Sequence, residues 1–164
     1  MDLKHASVDE LFQLARSSED PDGYWACVTQ LHGRGGERAF ELAEVLCESI
    51  LPGERCLGAD VLGQIDGTAA DGRETLRRLL DEDDQPAVLA AAAAGVGFLH
   101  DEESVDRLTK LTSHREAGVR FAAVNALMRI DAERGIAALT EMSVDGDEAT
   151  REWAASSLRE LRGA

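Results

Sequence analysis

The chain has 164 residues and a formal net charge of −15 at pH 7, set by 32 acidic against 17 basic side chains. So acidic a surface repels phosphate, which argues against nucleic acid and anionic membranes as ligands and points to a basic protein partner. With 44% apolar residues but only 4% aromatic ones and three prolines, the apolar content is carried mostly by Ala, Leu and Val, which suits helices better than sheets.

The first seven residues lack the basic start and apolar stretch of a secretory leader, so a cytoplasmic protein is expected. The length fits a single domain over residues 1–164. The longest apolar run, Pro86 to Leu99, is too short for a membrane span and reads as a buried helix.

From Ser7 onward the chain repeats itself. The segments beginning at Glu54, Val88, Val119 and Thr150 overlay without gaps, and their second residues are Arg55, Leu89, Arg120 and Arg151. One step back reaches Tyr24, so this column recurs at intervals of 31, 34, 31 and 31 residues, a period that signals a solenoid. A second apolar series lies upstream in every unit: Leu11/Leu14, Leu42/Val45, Leu76/Leu79, Leu108/Leu111 and Leu139/Met142. Each unit therefore holds an A helix and a B helix. The A helices are predicted over 8–17, 37–50, 71–81, 102–112 and 133–143, and the B helices over 22–33, 53–65, 86–99, 116–130 and 148–161. The corresponding units span 7–34, 36–66, 70–99, 101–131 and 133–162. Ser7 and Glu10 have the spacing of a capping box, and Pro21, Pro52 and Pro86 stand where a first helical turn tolerates proline. Short loops force each pair to pack antiparallel.

Three, four and seven residues past the Arg column stand Cys27/Val28/Leu31, Gly58/Ala59/Leu62, Ala92/Ala93/Val96, Ala123/Val124/Leu127 and Ala154/Ala155/Leu158. This stripe, small in the middle, predicts a continuous core with closely approaching helices. Cys27, Cys47 and Cys56 have no metal-site spacing and read as small buried hydrophobes of a reducing compartment.

The run Val119-Arg-Phe-Ala-Ala-Val-Asn-Ala-Leu127, with its polar turn and preceding A helix, resembles a HEAT repeat, in particular the short bacterial repeats of the PBS-lyase HEAT-like group. The resemblance covers most of the chain, is strongest from about 53 to 161, and is weakest in the first unit, where Tyr24 replaces Arg. It implies an all-α, right-handed α-α superhelix of about five hairpins, with B helices lining a concave wall. It also implies that Arg55, Arg120 and Arg151 form a structural ladder pairing with acids of neighbouring turns; Leu89 interrupts it, leaving the third unit to apolar contact. The same family includes scaffolds, regulators, bilin lyase subunits and a few enzymes, so fold alone does not name a function.

Acidic runs at Glu19–Asp22, Asp81–Asp84 and Asp145–Glu148 fall between an A and a B helix, where carboxylates cap B-helix N-termini or form an acidic edge for a partner. Positions one and five past the Arg column miss the core and face the predicted groove. There Trp25, Thr29, Asp60, Phe121, Asn125 and Glu152 are the candidate binding residues, although Trp25 and Phe121 could equally be packing residues, and Trp153 fits an end-closing role. The iron-binding HEAT-like hydroxylases carry His-Glu dipeptides that are absent here; His100-Asp-Glu102 and His114-Arg-Glu116 come nearest. With no phosphate loop or nucleophile elbow either, no catalytic residue, metal or cofactor is expected. The sequence thus reads as a non-catalytic protein-interaction scaffold or adaptor with a basic partner. The alternatives are a bilin lyase-like chromophore chaperone, or an immunity protein masking a cationic toxin.

Overall fold

The computed structural model describes residues 3–34, 36–65 and 72–163. Among the described residues all regular structure is helical. The A helices are α1 (Val8–Ser17), α3 (Gly36–Cys47), α5 (Arg73–Glu82), α7 (Val105–Leu111) and α9 (Ala132–Met142). The B helices are α2 (Pro21–Arg34), α4 (Pro52–Leu62), α6 (Pro86–Phe98), α8 (Ala117–Ile130) and α10 (Glu148–Gly163). Positions 66 and 70–71, included in the second and third predicted units, lie outside the described residues.

Local chemistry sets the helix limits. Pro21, Pro52 and Pro86 each open a B helix, where a missing N–H costs nothing. At α1 the Glu10 carboxylate accepts from the Ser7 backbone N–H at 2.7 Å, while Glu10 N–H donates to the Ser7 hydroxyl at 3.2 Å. Two predicted A helices are shorter than expected. α3 stops at Cys47 because the Ser49 hydroxyl takes the Leu51 N–H and turns the chain toward Pro52. The fourth A helix begins as a 3-10 turn, Glu102–Ser104, above the buried Asp101.

Each A helix packs on its own B helix, and α4, α6 and α8 stack side by side as the spine of the B layer. The residue three past the Arg column faces its A helix: Cys27, Ala92, Ala123 and Ala154 are buried, and at Gly58 an added Cβ would lie 2.6 Å from the Ala43 carbonyl oxygen. Residues four and seven past the column face the next hairpin. They are buried from Val28 through Leu127, whereas Ala155 and Leu158 in α10 are only partly covered. One core runs from Leu11 to Leu127, and a smaller cluster of Val124, Ala138, Leu139, Met142 and Ala154 seats α10.

The spine depends on close backbone approach. An added Cβ at Gly63 would stand 2.4 Å from Gly95 Cα, and one at Gly97 would stand 2.8 Å from Ala126 Cα. Both glycines lie eight past the Arg column and meet the residue six past it in the next unit. At the two outer interfaces the glycine column holds His32 and Met128, and there α2–α4 and α8–α10 touch far less than the spine does. Aromatic side chains bridge these wider gaps: the Tyr24 hydroxyl donates to the Asp60 carboxylate at 2.7 Å, and the Phe121 and Trp153 rings lie 4.6 Å apart.

Gly63→Ala and Gly97→Ala each push spine helices apart and are expected to lower unfolding free energy by roughly 1–3 kcal/mol. Gly118→Ala, with nothing within 4 Å, should instead be neutral or stabilising by up to about 1 kcal/mol. Urea denaturation of the three variants checks this, and equal losses at all three positions would refute the close-approach argument.

Candidate functional site

The edge formed by the A–B turns is held by the arginine column. Arg55 forms a two-point pair with Asp83 of the next hairpin, at 2.6 and 3.1 Å, while its Nη1 donates to the Ser49 carbonyl of its own turn at 2.9 Å. Burial alone would raise the Asp83 carboxyl, but the hydrogen bonds from Arg55 and the Gln85 N–H hold it below the usual range. Arg120 repeats the arrangement: Nη1 donates to the His114 and Arg115 carbonyls, Nη2 to the Thr150 hydroxyl at 2.7 Å, and Nε lies 3.5 Å from Asp145 without hydrogen-bond geometry. Arg151 clasps the Asp145 and Gly146 carbonyls. At the interruption Leu89 is buried, and a different cation supplies the link: Arg77 of α5 pairs with the buried Asp101, which also accepts from the Ser104 hydroxyl.

A second ladder runs along the A helices with the opposite polarity, acid first and arginine one hairpin later. Asp9 pairs with Arg38 at 2.8 Å, Glu48 with Arg78, Asp81 with Arg107 at 2.8 Å and Asp106 with Arg134 at 2.8 Å. These pairs are exposed and screened by solvent, so their effect is to fix register rather than to hold the fold.

Within the acidic turns the carboxylates divide in two. Asp20, Asp83, Asp145 and Asp147 accept backbone N–H groups at B-helix starts, whereas Glu19, Asp22, Asp84 and Glu148 point into solvent. Ile50, Leu51 and Val144 stand exposed on the same edge.

The candidate binding residues lie on the side of the B layer turned away from the A helices, but they do not form one cluster. Trp25 is 46% exposed at one end, its ring set edge-on to Tyr24 at 5.3 Å. Thr29 spends its hydroxyl on the Trp25 carbonyl of its own helix. Asp60 is half-buried and carries the Tyr24 link; burial pushes its carboxyl up to about 6 despite that hydrogen bond. At the other end Asn125 and Glu152 are exposed, and Phe121 is half-buried against Trp153, which makes it a spacer between α8 and α10. Cys27 and Cys47 are buried and Cys56 half-buried; burial raises all three thiols, Cys47 to about 12 and Cys56 to about 11, so none is an activated nucleophile. Among the described residues no His, Cys, Asp and Glu side chains group as a metal site, and no helix is long and apolar enough to cross a membrane.

A family model for HEAT repeats matches residues 73–159, more than half of the chain. The chain belongs to the HEAT-repeat proteins. Among solved structures it is similar to the X-ray structure of YibA from Escherichia coli, with a TM-score of 0.78 and 23% identity over 96% of this chain and 59% of that one. It therefore spans about three-fifths of the length of YibA. A chain in the complex of CpcE and CpcF of phycocyanin lyase from Nostoc sp. PCC7120 superposes with a TM-score of 0.71 and 21% identity, over 92% of this chain and 97% of that one. At these identities the likeness establishes the fold, an all-helical HEAT-like solenoid. No curated protein matches in sequence.

In this HEAT solenoid two further residues face the open side of the B layer: Phe98 of α6, 45% exposed, and Arg129 of α8, whose guanidinium carbon lies 4.6 Å from the Phe98 ring centroid. They stand nine past the Arg column. Carrying the one-and-five series a further turn along each B helix would have found both.

Asp60 gives a pH signature. A carboxyl raised above its unfolded value adds stability that is complete below pH ~4 and is lost as pH rises through about 6. Asp83 and Asp101, held low, act oppositely and lose their contribution only as pH falls below ~4. Between pH 8 and pH 5, one pH unit below the folded value, wild type should gain about 1.4 kcal/mol relative to Asp60→Asn, read as melting temperature against pH. Parallel profiles for the two proteins would refute the assignment. In a double-mutant cycle at pH 7, Arg55→Met and Asp83→Asn should each destabilise by roughly 3 kcal/mol yet add far less together.

Proposed function

We propose that this chain is a non-catalytic protein-interaction scaffold that takes a basic partner protein on the concave, B-helix side, steered by the acidic A–B turn edge. The exposure of Trp25 supports this most directly. A large rigid aromatic nearly half open to solvent on this face has the character of an interface anchor. The exposed carboxylates Glu19, Asp22, Asp84 and Glu148 are not consumed by helix capping and speed the approach of a cationic partner. The two ladders keep the hairpins in register, which favours binding by a preformed surface. HEAT chains are also found in assemblies: the Nostoc neighbour was solved in a complex of two proteins.

Affinity capture from the source cell with wild type and a Trp25→Ala, Asn125→Ala double variant tests the reading. The variant should recover the wild-type partner at least about tenfold less well, and recovery from wild type should fall as salt rises. Equal recovery by both proteins would defeat the B-face assignment. A partner held equally at low and high salt would defeat electrostatic steering.

A further inference from the structure

We infer that the hollow between α6 and α8 is an anchor site for a partner segment that presents an apolar side chain beside a carboxylate. The proposal rests on the B side being the interaction face and adds the chemistry recognised there. The hollow is lined by Ala94, Phe98, Ala122, Asn125, Met128 and Arg129, and its volume is about 700 Å³. Its floor is made of alanines because the spine helices meet at Gly97 and Ala126, so nothing larger than a methyl fills the space.

Charge identifies the occupant. In this acidic chain most arginines are committed to a carboxylate or a carbonyl: Arg38, Arg55, Arg78, Arg107, Arg120 and Arg134 all pair with acids. Arg129 is exposed and, among the described residues, its guanidinium has only the Phe98 ring as a partner. Two contacts hold it at the rim. The His100 ring bonds the Arg129 carbonyl at 3.1 Å from a residue in the left-handed conformation (φ 50°), and Gly97 leaves room for the Arg129 stem. A guanidinium lying over an aromatic ring, beside an exposed amide and an apolar recess, matches a carboxylate with an adjoining apolar group: Arg129 takes the carboxylate, Asn125 a neighbouring polar atom, and the recess the side chain. The surrounding acidic surface repels carboxylates elsewhere on the molecule, so such an anchor fixes position even on a partner that is basic overall.

The test is an NMR titration of the full-length isotope-labelled chain with three end-blocked peptides alternating leucine with glutamate, glutamine or lysine. The glutamate peptide should shift the amides of Ala94, Ala122, Asn125 and Arg129 to saturation, at least about tenfold more tightly than the glutamine peptide, with no saturable shift from the lysine peptide. Arg129→Gln should reduce the glutamate peptide to the affinity of the glutamine one. Arg129→Lys should recover part of the difference, and Ile136→Ala, at an exposed side chain of α9 in the A layer, should leave it unchanged. Equal binding of the glutamate and glutamine peptides, preference for lysine, an Arg129→Gln variant with wild-type affinity, or no saturable shift from any peptide each overturns the anchor. Loss of the anchor alongside a partner that still depends on Trp25 would leave the scaffold reading standing; a working anchor without any Trp25-dependent partner would do the reverse.

Discussion

Close approach of α4, α6 and α8 is the constraint on which the rest of the molecule depends. An α-helix carries its side chains outward, and two helices come near contact of their backbones only where a side chain is missing. Gly63 against Gly95 and Gly97 against Ala126 supply those gaps in successive hairpins. Once the spine is fixed, every B helix has an assigned azimuth. In α4, α6 and α8 one side meets the A helix, two meet neighbouring hairpins, and the fourth is left open.

That azimuth explains how an acidic chain stays folded. Thirty-two carboxylates on a 164-residue chain repel one another, and arginines placed once per hairpin offset this where it matters. The B-layer arginines look forward to the acid of the next turn, and the A-layer arginines look back to the acid of the preceding helix. Where Arg55 and Arg120 reach forward, between the second and third and between the fourth and fifth hairpins, the two series cross the interface in opposite senses, so a slip there breaks both at once. Where Leu89 removes a member of the first series, Arg77 and the buried Asp101 restore the connection from the other edge. The apolar contact that the sequence assigns to the third unit is present at Leu89, but it is not the only tie.

The open side of the B layer is what this arrangement leaves for function. Its small central residues follow from the spine, since helices that meet at glycine and alanine have no large side chains to spare near the seam. The aromatic groups differ in use, and the bridging ones stand where the spacing widens. Tyr24 and Phe121 bridge between helices, while Trp25 and Phe98 remain open. Residues in equivalent columns thus have different roles because the inter-helix spacing differs between the middle and the ends.

The repeat column, the apolar stripe, the capping box and the three prolines determined the number, order and approximate ends of the helices, because each is a local signal readable within one or two turns. Acidic turns were equally legible, since a carboxylate at a helix start finds its N–H groups a few residues away. Only the tertiary structure decided which of the six candidate residues, from Trp25 to Glu152, stay open. Phe121 is half-buried because Trp153, a residue 32 positions later, happens to face it, and Asp60 is tied up because Tyr24 reaches across from another helix. The backward ladder, and the exposed Arg129 beside Phe98, likewise depend on distances between hairpins. Such distances are set by how far Gly63 and Gly97 let backbones approach, and no periodicity within a single helix encodes them.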